Sequence, residues 1–157
     1  MRGAGLLPFL WVLALTAGCQ GATGNGGPAN GEELEALGLS SGAELHLVTL
    51  GGRGSEEHAV PTRIEADPGD GVEFRTVDHR VHTVSFIADS LSPAVLSFLE
   101  STGQLASPPL VTRGSRFIVR LQNAPSGRYF FLTEGHGGTA TGLVEVGPPS
   151  QPDSTQS

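Results

Sequence analysis

Apolar and polar positions alternate in short runs through the middle of the chain. ELHLVTL (44–50), TRIEA (62–66), VEFRTV (72–77), HTVSFI (82–87), SRFIVRL (115–121), RYFFLT (128–133) and GLVEV (142–146) each suit a strand with one buried face. DPGDG (67–71), TRGS (112–115) and NAPSG (123–127) supply turns between them. In VEFRTV, Val72, Phe74 and Thr76 share one face while Glu73 and Arg75 point out. In SRFIVRL, Phe117, Val119 and Leu121 point one way. Seven strands of this length predict an all-β fold, an antiparallel Greek-key sandwich. One stretch breaks the two-residue period. Ser92 can cap a helix, Pro93 suits its first position and Gly103 its end. Leu91, Val95, Phe98 and Leu99 then form one apolar stripe, so a short inserted helix is expected to cover a side or end of the sandwich.

The two ends read differently. Arg2 followed by LLPFLWVLALTA (6–17) has the charge and short apolar run of a targeting segment. It closes in LTAGC, which resembles a bacterial lipobox ending at Cys19. That resemblance implies cleavage before Cys19, acylation there and anchoring in a membrane, since each buried CH2 contributes about 0.8 kcal/mol. The alternative is an ordinary secretory signal that happens to end near a cysteine. Residues 1–18 are therefore expected to be a lipoprotein signal peptide. Residues 19–42, rich in Gly, Ala and Asn, are expected to be a flexible tether with at most a helical turn at 32–37. Residues 148–157, rich in Pro and Ser, are expected to be a disordered tail. That leaves 43–147 as one domain.

The expected location is the bacterial cell envelope, outside the cytoplasm. In a host with two membranes this means the periplasm or the outer membrane, which Gln20 after the lipidated residue favours. The formal net charge is −7, and no basic stripe is present, so nucleic acid is not an expected partner. No serine stands in a nucleophile elbow and no triad spacing occurs, so the chain is not expected to be an enzyme.

Candidate chemistry lies in two stretches, VDHRVHTVSF (77–86) and SGRYFFLTEGHGGTATGLVEV (126–146). Together they resemble the cupredoxins, the plastocyanin and azurin family. In that family a strand carrying a ligand histidine is followed later by a Gly-x-Tyr strand, a Cys-x-x-His loop, a methionine, a glycine and a last strand. The resemblance covers about residues 60–147 and implies a sandwich of the cupredoxin type, copper binding and electron transfer. Matched position by position, it places His82 and His136 on the two histidine ligands. It places Thr133 on the cysteine, and Ala140 or Thr141 on the methionine.

Both sulfur ligands are thus missing. Cys19 is the chain's only cysteine and Met1 its only methionine. A blue copper site depends on a thiolate, so the resemblance cannot extend to that chemistry. A nitrogen and oxygen site remains open, with His82, His136 and, three residues before His82, His79 as candidate metal ligands. Asp78 and Glu134 are nearby carboxylates. Such a site suits Cu(II), and less distinctively Zn(II). The expectation is a lipid-anchored protein binding copper or another divalent metal at a non-blue site, with a redox or metal-handling protein as its partner. The alternative is a metal-free structural or interaction module on the same fold.

Overall fold

The computed structural model describes residues 31–148. Cys19, the expected signal peptide and residues 149–157 of the expected tail lie outside them, as do residues 19–30.

Eight strands form the body: β1 (Leu45–Arg53), β2 (Glu56–Val60), β3 (Arg63–Ala66), β4 (Gly71–Thr76), β5 (Thr83–Phe86), β6 (Arg116–Arg120), β7 (Gly127–Gly135) and β8 (Gly138–Val146). They make two four-stranded sheets, in the orders β2-β1-β4-β6 and β3-β8-β7-β5. The alternation read from the sequence turns one face of each sheet inward. Val48, Leu50, Phe74 and Val119 of the first sheet join Val84, Tyr129, Phe131 and Val144 of the second in one buried cluster. Phe131 meets Phe74 edge-on, with ring centroids 5.0 Å apart, a geometry that adds about 0.5–1.5 kcal/mol to the burial itself. Tyr129 is fully buried, and its hydroxyl donates to the carbonyl of Pro125 at 2.7 Å. The only polar atom of that side chain is therefore satisfied.

A short helix, α1 (Gly31–Ala36), precedes the strands, and a second, α2 (Pro93–Ser101), is inserted between β5 and β6. Helix α2 forms as its sequence predicts. The Ser92 side chain accepts from the Val95 N–H, and Pro93 opens the helix. Val95 and Leu99 are fully buried, Leu91 and Phe98 pack against the same core, and Gly103 follows at φ +66°.

Four expectations need correction. The sheets are not antiparallel throughout: β1 pairs with β4, and β3 with β8, in parallel. After β2 the chain leaves the first sheet, adds β3 to the second, and returns to lie beside β1. An eighth strand, β2, was not expected, because its inward positions are Glu57 and Ala59 and give no apolar alternation. Residues 34–39 are not part of a free tether, since Leu34, Leu37 and Leu39 form a small buried cluster with Ala43, Leu45 and Ile118. Finally, Glu73 does face away from the main core but is buried there, 1% exposed, beside that same cluster.

Candidate metal centre

The strand β5 and the β7–β8 hairpin bring two histidines to one end of the sandwich. Just before β5, His82 makes a backbone bridge with Leu110, donating to its carbonyl and accepting from its N–H. The alternation that buries Val84 and Phe86 buries His82 as well, at 0% exposure. The strands β7 and β8 pair as far as Gly135 and Gly138, so the glycine-rich loop expected after Thr133 is a tight hairpin. Its two turn residues, His136 and Gly137, have φ of 55° and 79°. Positive φ at both central residues is what a type I′ hairpin turn requires. This curls His136 back, and its ring lies 5.5 Å from that of His82, centroid to centroid. The His136 side chain is 4% exposed.

Two carboxylates complete the cluster. Asp78 bridges the histidines: its Oδ1 lies 2.9 Å from Nε2 of His82 and its Oδ2 2.6 Å from Nε2 of His136. Glu57, on β2 and with its side chain fully buried, places Oε1 2.9 Å from Nδ1 of His82. Burial works against the charge on Asp78. Hydrogen bonds from His82, the Arg80 N–H and His136 outweigh it, and its carboxyl lies well below the usual carboxylate range. Burial likewise works against charge on His82, but the bonds to Asp78 and Glu57 prevail and raise its pKa above the ordinary histidine value. With His82 charged, Nδ1–H donates to Glu57 and Nε2–H to Asp78.

Asp78 fixes the other ring too. An ionised carboxylate only accepts, so Nε2 of His136 must carry the hydrogen. In the neutral ring Nδ1 of His136 is then the atom with the lone pair, and it is buried and without a hydrogen-bond partner among the described residues. The second oxygen of Glu57 is in the same condition. One donor atom each from Glu57, His82 and His136 lies within 4.8 Å of the others, an arrangement able to hold a metal ion. Glu57 and His82 can pack this closely against the hairpin because residue 135 is glycine. A Cβ there would lie 2.4 Å from Oε2 of Glu57 and 2.6 Å from Nδ1 of His82.

The other expected site residues are placed as follows. Thr133 is fully buried on the inner face of β7, and its hydroxyl donates to the Ala140 carbonyl at 3.5 Å. Thr141 pairs with Leu132, so it lies on the face opposite to Thr133, and it is exposed. Ala140 pairs with Thr133 and shares its face. His79 is exposed in the turn before β5 and is not in the cluster. Glu134 is exposed, within 3.5 Å of the Thr83 hydroxyl. Sequence reasoning passed over Glu57. The one signal for it is a glutamate in a run, EEHAV, whose alternate residue Ala59 is apolar.

A blue copper centre does not fit these residues, because the described residues contain no cysteine or methionine to stand near the histidines. An oxygen and nitrogen site for a divalent ion does fit, since Glu57, His82 and His136 each bring a donor atom within 4.8 Å of the others, and Glu57 and His136 each keep one buried polar atom without a partner among the described residues.

No family model matches the chain, and no curated protein matches it significantly. Solved structures do. Oxidised plastocyanin from Dryopteris crassirhizoma is 19% identical, with a TM-score of 0.50 over 64% of this chain and 99% of that one. A purple cupredoxin from Nitrosopumilus maritimus is 18% identical over 65% of this chain and 99% of that one, with a TM-score of 0.44. Reduced auracyanin from Roseiflexus castenholzii is 14% identical over 68% and 100%, also at 0.44. At such identities the plastocyanin likeness speaks for the fold alone. The chain carries a cupredoxin-like domain, a β-sandwich with one helix inserted between its strands.

Proposed function

We propose that this chain is a cupredoxin-fold protein of the bacterial cell envelope, anchored through Cys19, that holds a divalent metal ion, Cu(II) or Zn(II), between His82 and His136. The observation that carries the reading is the free Nδ1 of His136, buried beside the His82 ring. A carboxylate behind each metal-binding imidazole is the usual arrangement at such sites, and Asp78 stands behind both. A bound ion would supply Lewis acidity and positive charge. The protein's own part is to hold both rings in one tautomer and to exclude water. Without a thiolate the site is unsuited to fast electron transfer, so the reading is metal holding and delivery, with another envelope protein as donor or acceptor of the ion. It gives the chain no catalytic role.

One observation favours a second reading, a metal-free structural module. Both ring nitrogens of His82 already have carboxylate partners. The deciding experiment is calorimetric titration of the full chain carrying Cys19→Ser, in detergent, with Cu(II) and Zn(II). The substitution removes the only thiol. Uptake of one ion per chain, lost in His82→Ala and in His136→Ala, is expected. The copper form should lack the intense visible band of a copper thiolate. No uptake would leave the metal-free module. The anchor is tested separately: the parent chain should carry lipid and sediment with membranes, and Cys19→Ser should carry none.

A further inference from the structure

The two-histidine reading leaves open what completes the ion's coordination and which ions it admits. Both questions turn on Glu57, which the resemblance did not mark. Its side chain is fully buried on a strand whose neighbouring positions are exposed. An ionised carboxylate costs several kcal/mol to bury unless it is paired. Here only Oε1 has a partner, while Oε2 lies buried against Gly135 with no hydrogen-bond partner among the described residues.

Resting on that reading, we infer that Glu57 is the third, anionic ligand of the metal site, and that Glu57 and Asp78 together make it selective for divalent ions over Cu(I). Two neutral imidazoles and two carboxylates carry a charge of −2. A divalent ion brings the buried cluster to neutrality. A monovalent ion leaves one negative charge uncompensated in a place where His82 and Glu57 have no access to water, a costly outcome. Ligand character acts in the same direction, because carboxylate and imidazole oxygen and nitrogen suit divalent ions whereas Cu(I) favours sulfur. Nδ1 of His82 lies 2.9 Å from Oε1 of Glu57. The ion takes the place of the hydrogen shared between those two atoms, which leaves to solvent, so Glu57 changes partner without becoming unpaired. The fold thus holds the ion in one oxidation state instead of cycling it.

The test uses the full chain carrying Cys19→Ser, with Zn(II) and Cu(II) binding read by calorimetry and Cu(I) binding by anaerobic competition with a colorimetric chelator. Glu57→Gln keeps the shape and removes the charge. It should weaken both divalent ions by tenfold or more while leaving Cu(I) affinity equal or tighter, so that the preference narrows or reverses. Divalent affinity unchanged in Glu57→Gln, with binding still lost in His82→Ala, would overturn this inference and leave the two-histidine site standing. No divalent binding by the parent would overturn both. A measurement without substitution at the site guards against misfolding of the variant. In chain labelled with 13C at glutamate side-chain carboxylates, Zn(II) should shift a glutamate stretch in the infrared difference spectrum. Absence of that shift overturns the assignment.

Discussion

Two glutamates are buried in this domain, and they are provided for in different ways. Glu73 on β4 and Glu57 on β2 each have one oxygen in a hydrogen bond and one with no partner among the described residues. Glu73 is bonded at 2.5 Å by Nε of Arg75, whose side chain is 42% exposed. Its counter-charge is a guanidinium, which never loses its proton and here reaches solvent. Glu57 is bonded by His82, which is fully buried. Its counter-charge is an imidazolium, which can be exchanged for something else. An orphaned carboxylate oxygen is therefore not in itself a site. What separates Glu57 is its place in a cluster with His82 and His136, whose donor atoms lie within 4.8 Å of one another, with a second unpartnered atom on His136 and a partner whose charge is removable.

The largest effect that distinguishes the two should come from removing each counter-charge. His82→Ala leaves Glu57 as an unpaired buried charge and should cost about 3–5 kcal/mol in the metal-free protein. Arg75→Ala acts on a pair that water can reach, and should cost about 1–2 kcal/mol. Urea unfolding of the two variants reads the difference directly. Equal losses would mean that both glutamates are held by structural ion pairs of one kind.

A smaller effect follows from filling the space. In Gly135→Ala the new methyl group meets Glu57 and His82 far inside contact distance. Overpacking of this sort costs about 1–3 kcal/mol. Metal affinity should fall by tenfold or more, because the methyl pushes Glu57 and His82 out of the arrangement that holds the ion. Glu73→Gln, the matched change at the other glutamate, should leave metal affinity as it is.

Most of the sandwich was legible in the chain because its strands bury apolar residues at every second position. Val72, Phe74, Val84 and Phe131 face the core as their alternation implies. The failures share a cause. Strand β2 was missed because the residue it turns inward at the site is Glu57, which reads as surface. The role of Glu73 was misjudged because Leu34 of α1 and Leu37 and Leu39 just after it cover a face that looks solvated. His82 and His136 could be paired only through the resemblance, since nothing in their spacing shows that a hairpin turn brings them together. The loop that the resemblance implied is absent, as β7 and β8 pair right up to the turn, and Thr141 is carried to the outer face as a result.

The exchangeable counter-charge has a pH dependence that a guanidinium lacks. The folded pKa of Asp78 is depressed. Its contribution is present above the unfolded value of about 3.9 and is lost as pH falls through the folded one. The folded pKa of His82 is raised. Its contribution is full below the unfolded value of about 6.5 and is lost as pH rises through the folded one. Metal-free protein should therefore melt highest between about pH 4 and 6.5, with a decline on either side. In Zn(II)-loaded protein the decline on the alkaline side should disappear, because the ion replaces the proton. A metal-free melting temperature flat from pH 6 to about 9 would show that His82 is not charged in the fold.

The smallest expected change in stability belongs to His136, and it separates the two histidines. His136 occupies the first position of a two-residue hairpin turn at φ 55°, where an Asn before Gly is the favoured choice. His136→Asn should recover some tenths of a kcal/mol of backbone strain, while losing the bond to Asp78, which is worth about 1–2 kcal/mol net. The two effects oppose, so the net loss should be about 1–1.5 kcal/mol in equivalent free energy from the urea midpoint, well below that of His82→Ala. Metal affinity should nonetheless collapse, since Asn offers no ring nitrogen to the cluster. His82→Ala should lose both stability and metal; His136→Asn should lose metal with little loss of stability. That outcome would mean a residue less suited to its turn is kept there for what its free nitrogen binds. If His136→Asn instead unfolds the domain as readily as His82→Ala, the four side chains act as one structural network, and the metal-free module is the better account of this end of the sandwich.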